Sequence, residues 1–338
     1  MKRFGTALVL LTMLVANAGA QSIQKYFGYY AGDIDNPPSN AISEFKDHIN
    51  LYHIINWSGD TSPSGRADSK QILLSELAAA KAAHLHAIIP AYPFVFQKTG
   101  NPCWGQDSGA QAAWNDLVQD LVSHGYIDTQ NPDRSVVSAI YVVDEPNLKD
   151  TDHGVYSCLW DINGAANPTL VSAVGVIRSN PNTSSIPLAS ILAVMNEDFS
   201  DIRQGARLFD WVGFDHYDVS SATWTNELNT LEGLLPNKKI IIVPGAQSVF
   251  ISGQCAGTNQ ASTFTNRMTM DSRVVWLAPF VWFSQQQCLG VRDIPSLRAT
   301  YTNFGTGIKT QGCASSKDAG RFCKPPSIAP ILDLILND

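Results

Sequence analysis

The sequence lacks the basic stripe that nucleic-acid-binding proteins use. Charged residues make up only 16% of its 338 residues, and the formal net charge is −7. Binding to a phosphate backbone needs clustered Lys and Arg side chains that displace counterions, so no nucleic-acid partner is expected. A Walker loop, a glycine-rich dinucleotide fingerprint and a Gly-x-Ser-x-Gly elbow are also missing. Their absence argues against nucleotide enzymes and the common serine hydrolases.

No Cys-x-x-Cys pair occurs among the six cysteines, and the histidines do not cluster near them. An even number of widely spaced cysteines is typical of disulfide bonds in an oxidising compartment, with a zinc site as the alternative. We expect the pairs that would tie neighbouring loops together, which are Cys103–Cys158, Cys255–Cys288 and Cys313–Cys323.

No segment approaches the ~20 apolar residues of a membrane span. The first twenty residues have the order of a secretory signal peptide: Lys2 and Arg3, then an apolar run over 7–15, then Ala18-Gly19-Ala20. We therefore expect cleavage after Ala20, and a secreted, monomeric protein without a membrane anchor, in the periplasm or outside the cell.

Short apolar, β-branched or aromatic runs alternate with stretches of helical spacing along the rest of the chain. Eight such runs are present: Tyr26–Ala31, Leu51–Trp57, His86–Ala91, Ser138–Val143, Leu188–Val194, Trp211–Asp215, Ile240–Val243 and Val274–Trp282. Continuously apolar strands suit a parallel sheet that is covered on both faces. The pattern predicts an α/β fold, a single (β/α)8 TIM barrel over residues 21–338 with disulfide-stapled loops, and a doubly wound open sheet is the alternative.

The region after the eighth run contains Gly, Ser and Cys and few apolar residues. We expect Thr302–Lys324 to form a stapled loop that precedes a last apolar segment, Ile328–Leu336.

The strongest chemical signal is two adjacent carboxylates at the end of the fourth predicted strand, in Tyr141-Val142-Val143-Asp144-Glu145-Pro146-Asn147. Barrel enzymes carry their active sites at the carboxyl ends of the strands. Two carboxylates held together do not both ionise easily, so one pKa rises and a proton becomes available to a leaving oxygen near neutral pH. The alternative interpretation is a solvated turn that caps the next helix.

Three strand ends resemble clan A glycoside hydrolases, which are (β/α)8 barrels. Asp144-Glu145-Pro146-Asn147 resembles the clan's Asn-Glu-Pro motif, which implies that Glu145 is the acid/base. The sixth run ends in Asp215-His216-Tyr217 and is similar to the clan's His-x-Tyr segment, with Tyr217 matched and Asp215 where a His is common. The eighth run resembles the strand that carries the clan's sugar-stacking Trp, here Trp282.

The sequence departs from the clan at two positions. Asp144 stands where the clan has Asn, and Val243-Pro244-Gly245-Ala246-Gln247 at the seventh strand end contains no carboxylate where the clan has its nucleophilic Glu. Gln247 cannot form a glycosyl ester. Double displacement through an enzyme nucleophile is therefore not expected.

Adjacent Asp-Glu at the fourth strand also resembles the substrate-assisted N-acetylhexosaminidases, in which the substrate's acetamido oxygen is the nucleophile. That resemblance implies that Asp144 orients the acetamido N–H, Glu145 is the acid/base and Tyr217 binds the acetamido oxygen. Inversion is a further alternative, in which Asp215 or Asp33 activates a water molecule.

The remaining strand ends supply aromatic and polar side chains suited to a sugar, namely Asp33, Asn56, Trp57, Tyr92 and Gln247. We expect no metal and no cofactor. The sequence predicts a secreted glycoside hydrolase that cleaves O-glycosidic bonds of a poly- or oligosaccharide. The alternative is a non-catalytic carbohydrate-binding barrel that has lost the seventh-strand nucleophile.

Overall fold

The protein is described by a computed structural model. It covers residues 24–30, 38–99, 104–150, 155–156, 159–160, 164–194, 199, 202, 204–217, 219–249, 261–284, 288–314 and 322–323. The expected signal peptide, Asp33, the pair Cys103–Cys158 and the segment Ile328–Leu336 lie outside these residues.

Eight parallel strands form a nearly closed barrel, which confirms the predicted fold class. They are β1 (Tyr26–Phe27), β2 (Leu51–His53), β3 (His86–Pro90), β4 (Val137–Tyr141), β5 (Leu188–Ala193), β6 (Trp211–Asp215), β7 (Lys239–Val243) and β8 (Val274–Leu277). Neighbours follow chain order from β2 to β8, and β8 pairs with β1. Asn50 joins β1 to β2, because its N–H donates to the Phe27 carbonyl at 3.1 Å while its side-chain Oδ1 accepts the Phe27 N–H at 2.8 Å.

Helices follow seven of the eight strands within the described residues. They are α1 (Pro38–Phe45), α2 (Pro63–Ala82), α3 (Ala110–Ser123), α4 (Pro168–Ser179), α5 (Ser221–Leu234), α6 (Ala261–Met270) and α7 (Pro295–Ala314). The described part of the connection from β5 to β6 contains a 3₁₀ helix, Gly205–Leu208. The Ser62 hydroxyl caps the start of α2 by accepting the Gly65 N–H at 3.2 Å.

Two apolar layers bury the sheet on both faces, as continuously apolar strands require. One layer fills the barrel interior, where the Trp276 indole N–H donates to the Gly28 carbonyl at 3.0 Å. The other lies between the sheet and the helices, where Trp224 of α5 meets Phe264 of α6 edge to face, with 4.5 Å between ring centroids.

The expected loop over Thr302–Lys324 is wrong for its first part, 302–314, because α7 continues to Ala314. Leu297, Tyr301 and Ile308 lie on one face of α7 and are buried, which is the spacing of a core-facing helix. Gly305 obscured this pattern, and it is required by close packing: a Cβ there would lie 2.0 Å from the His48 carbonyl oxygen.

The disulfide Cys313–Cys323 is present as predicted. Cys288 is also disulfide-bonded. Its expected partner, Cys255, lies outside the described residues, so that pairing stays a prediction. None of the helices described here has the length and hydropathy needed to cross a membrane.

Candidate active site

A cleft of about 550 Å³ opens at the carboxyl ends of the strands. It brings together seven of the ten predicted site residues. These are Asp144, Glu145, Asp215, Tyr217, Asn56, Trp57 and Tyr92. They come from the ends of β2, β3, β4 and β6, so the barrel topology alone collects them at one mouth.

The turn after β4 holds Glu145 rigidly. Its N–H donates to the Ile191 carbonyl of β5 at 2.9 Å, and Asn147 exchanges two hydrogen bonds of 3.0 and 2.7 Å with the backbone of Ala193. Glu145 has φ of 40°, in the left-handed region that non-glycine residues rarely adopt. Such strain persists where surrounding contacts determine the conformation, and it concentrates at functional sites.

Glu145 and Asp215 both line the cleft, and their carboxyl groups are close enough to shift each other's pKa. Burial, followed by the charges of Asp215 and Asp144, raises the pKa of Glu145 to about 9. Burial also raises the pKa of Asp215 to about 6, and the hydroxyl of Tyr217, which donates to Asp215 Oδ2 at 3.1 Å, opposes that rise. Glu145 therefore keeps its proton at neutral pH beside the more acidic Asp215.

Asp144 lines the cleft, where its side chain is exposed, and nearby protein atoms still desolvate its carboxyl group. Its Oδ1 accepts hydrogen bonds from the hydroxyls of Tyr30 and Tyr141, the second at 2.5 Å. Burial raises the pKa of Asp144, and these two hydroxyls act in the opposite direction.

Aromatic rings form the two walls of the cleft. Trp57, Tyr92 and Trp104 pack together on the side of β2 and β3, with ring centroids 5.6 to 5.9 Å apart. Across the barrel, Tyr217 and Phe280 stack with 5.2 Å between centroids and 17° between planes. Planar rings of this kind suit the apolar faces of a sugar.

Sequence reasoning missed two of these wall residues. Trp104 lies on a hairpin, Phe96–Lys98 paired with Trp104–Gln106, that follows the short helix Tyr92–Val95 after β3. Trp104 was not predicted because it lies well beyond the first residues after β3, where site residues were expected. Phe280 follows β8 and lines the cleft where Trp282 was expected.

Trp282 does not face the cleft, and its expected stacking role is wrong. It is 3% exposed, it packs against Tyr29 with 4.8 Å between centroids, and its indole N–H donates to Glu44 Oε2 at 3.0 Å. Its ring belongs to the layer between the sheet and α1. Gln247 is buried and is not among the residues that line the cleft.

The seventh strand end contributes no carboxylate, since Val243–Gln247 is fully described and apolar apart from the buried amide of Gln247. The side chain of Asn56 lines the cleft and donates to Glu76 Oε1 at 3.0 Å. Within the described part of the chain, no three His, Cys, Asp or Glu side chains are grouped so that they could hold a metal ion.

No protein-family model matches the chain, and no curated protein matches its sequence. Solved structures do match. A β-galactosidase from Bacillus circulans sp. alkalophilus has a TM-score of 0.54 and 11% identity, covering 92% of this chain and 62% of that chain. A β-galactosidase from the psychrophilic Marinomonas ef1 has a TM-score of 0.50 and 9% identity, covering 82% of this chain and 57% of that chain.

The chain therefore spans less than two thirds of the length of either β-galactosidase. At 9% and 11% identity, the likeness is one of fold. What this chain does has to be argued from its own site.

Proposed function

We propose that the protein is a glycoside hydrolase in which Glu145 is the general acid. The raised pKa of Glu145, which lines an aromatic cleft beside Asp215, carries the proposal. A carboxylic acid that keeps its proton at neutral pH can protonate a glycosidic oxygen as the bond to the anomeric carbon breaks. The fold shared with glycoside hydrolases supports this assignment.

The bond-breaking step transfers the Glu145 proton to the leaving oxygen, which takes the electron pair of the C–O bond. Positive charge then develops at the anomeric carbon, and the ionised carboxylates beside it stabilise that charge. In the second half of the reaction, the Glu145 carboxylate accepts a proton from the attacking water molecule.

The geometry favours the acetamido-assisted alternative among the three mechanisms. A double displacement needs a nucleophile, and the described seventh strand end has no carboxylate. Inversion by Asp215 needs room for water between carboxyl groups ~6.5–9.5 Å apart, whereas Glu145 and Asp215 interact closely enough to shift each other's pKa; the other inverting candidate, Asp33, lies outside the described residues. We therefore propose a substrate with a 2-acetamido group, which Asp144 and Tyr217 would bind.

A non-catalytic carbohydrate-binding barrel is the second candidate, and the missing seventh-strand carboxylate favours it. Turnover separates the two. We expect the wild-type protein to hydrolyse at least one member of a panel of poly- and oligosaccharides, and Glu145→Gln to lower the rate about 10²–10⁴-fold while binding survives. Asp68→Asn, on the exposed face of α2, is the matched control. Binding without turnover in the wild-type protein would support the second candidate.

Asp144→Asn tests the acetamido mechanism. If Asp144 supports an acetamido nucleophile, the neutral amide should be nearly as damaging as Glu145→Gln. If Asp144 only accepts hydrogen bonds, activity should largely persist in Asp144→Asn, and the acetamido mechanism would be wrong.

We also propose that residues 1–20 direct secretion and are removed. Intact-mass analysis of the secreted protein should show a chain that begins at Gln21. A mass that includes residues 1–20 would contradict this.

A further inference from the structure

Two tyrosines from different strands converge on one oxygen of Asp144. Tyr30 follows β1 and Tyr141 ends β4, and their hydroxyl oxygens lie 3.2 Å apart. Both hydroxyls reach Asp144 Oδ1, at 2.5 Å from Tyr141. A single carboxyl oxygen therefore holds the ends of two elements that are far apart in sequence.

The hydrogen-bond directions follow from the chemistry of the three groups. Burial raises the pKa of Tyr30 and the pKa of Tyr141 well above the ordinary value, so both hydroxyls keep their protons. Each can donate to Oδ1, and two donated hydrogen bonds favour the ionised form of the Asp144 carboxyl group.

The two phenol rings are fixed by the barrel interior. Tyr30 stacks on His53 of β2 with 5.1 Å between centroids, and Tyr141 meets the same imidazole edge to face at 4.8 Å. Trp276 of β8 also meets this imidazole edge to face, with 5.2 Å between centroids. Rings held in this way cannot easily turn away, so the hydroxyls are preorganised.

We propose that Tyr30 and Tyr141 are positioning residues that clamp Asp144 as an anion beside Glu145, at the centre where the proposed hydrolysis takes place. The statement that hydrolysis takes place at this centre rests on the proposed function. The clamp itself rests only on the contacts of Asp144.

The clamp affects which of the neighbouring carboxyl groups of Asp144, Glu145 and Asp215 carry a proton. The two hydroxyls favour the ionised form of Asp144, while the raised pKa of Glu145 keeps a proton on Glu145 beside Asp215. The ionisable groups around Asp144 in the described residues are Tyr30, His53, Tyr141, Glu145, Asp215 and Tyr217. Burial lowers the pKa of His53 to about 3, so it is neutral and no cation there competes with the hydroxyls.

A double-mutant cycle tests the clamp without any activity measurement. Urea unfolding at pH 7 is measured for wild type, Tyr30→Phe, Asp144→Asn and the double variant, and the same cycle is repeated with Tyr141→Phe. A hydroxyl bonded to a charged group contributes more than one bonded to an amide, so each cycle should show about tenfold coupling in the unfolding equilibrium constant. Additive effects in both cycles would overturn the proposal.

Tyr301→Phe is the matched control, because its hydroxyl is fully buried on α7 and has no hydrogen-bond partner among the described residues. It should show no coupling with Asp144→Asn. Coupling of the same size in this control would show that the cycle reports general loosening of the core, and would count against the clamp.

The second readout is the pH dependence of kcat/KM on whichever glycan is hydrolysed. Removing a donor raises the pKa of a carboxylate, so Tyr30→Phe and Tyr141→Phe should each move the acidic limb about one pH unit upward and leave the basic limb in place. A uniform loss of activity at every pH would assign the tyrosines a merely structural role. If no glycan is hydrolysed, the proposed function fails, and the two cycles still decide the clamp.

Discussion

Replacing Glu145 by Gln should make the protein more stable at alkaline pH, because the carboxyl group lies in a site that disfavours its charge. Burial and the neighbouring carboxylates raise the pKa of Glu145 from 4.5 to about 9. A group whose pKa is raised in the folded state contributes stability below its unfolded pKa, and that contribution is lost as the pH rises toward the folded pKa. The wild-type protein should therefore lose stability between about pH 4.5 and pH 9.

The size of this stability loss follows from the change in the free energy of unfolding per pH unit. Each pH unit in that window changes the free energy of unfolding by at most about 1.4 kcal/mol. From pH 4.5 to pH 8 the upper bound is about 5 kcal/mol, and we expect about 2 kcal/mol because the cleft is open to solvent and the pKa of Asp215 falls once Glu145 is gone. Glu145→Gln removes this titration, so its advantage over wild type should grow with pH.

Urea unfolding at pH 5 and at pH 8 measures the effect. Glu145→Gln should differ little from wild type at pH 5 and exceed it at pH 8, while Asp68→Asn on the exposed face of α2 should follow wild type at both. If the free energy of unfolding of Glu145→Gln and of wild type changed equally between pH 5 and pH 8, Glu145 would not have the raised pKa assigned to it.

Three further predictions concern the aromatic walls of the cleft, the disulfide Cys313–Cys323 and the charge of the cleft. Trp104→Ala should raise KM for a glycan several-fold with little change in kcat, because Trp104 lines the cleft. Trp282→Phe should lower the urea midpoint of unfolding without a rise in KM, because Trp282 is buried outside the cleft. Replacing Cys313 and Cys323 by Ser should lower the free energy of unfolding by about 2–3 kcal/mol, measured with urea, since the bond closes a loop of sequence separation 10. Glycans that carry uronate or sulfate groups should be hydrolysed far more slowly than neutral ones in matched rate assays, because the described lining residues include Asp144, Glu145 and Asp215 and no Lys or Arg.

The barrel itself could be predicted because its strands carry their own signal. All eight predicted runs overlap a strand of the barrel, since a parallel sheet buried on both faces demands continuous apolar residues. The strand ends then identified Asp144, Glu145, Asp215 and Tyr217 as cleft residues, because barrel topology brings those ends to one mouth.

The rest depended on tertiary contacts that leave no local pattern. Trp282 and Phe280 lie two residues apart after β8. Packing against Tyr29, Phe45 and His48 buries Trp282, whereas Phe280 lines the cleft. Tyr30 and Tyr141 read as core aromatics, and their shared contact with Asp144 joins strands more than a hundred residues apart in sequence.

The pH dependence of kcat/KM for wild type and Glu145→Gln on the same glycan tests the central claim most directly. With Glu145 as the proton donor, wild-type activity should fall above about pH 9, and Glu145→Gln should be slower by about 10²–10⁴-fold across the range while still binding the glycan. Wild-type rates in Glu145→Gln, or an unchanged alkaline limb in that variant, would contradict the assignment of Glu145 as the acid.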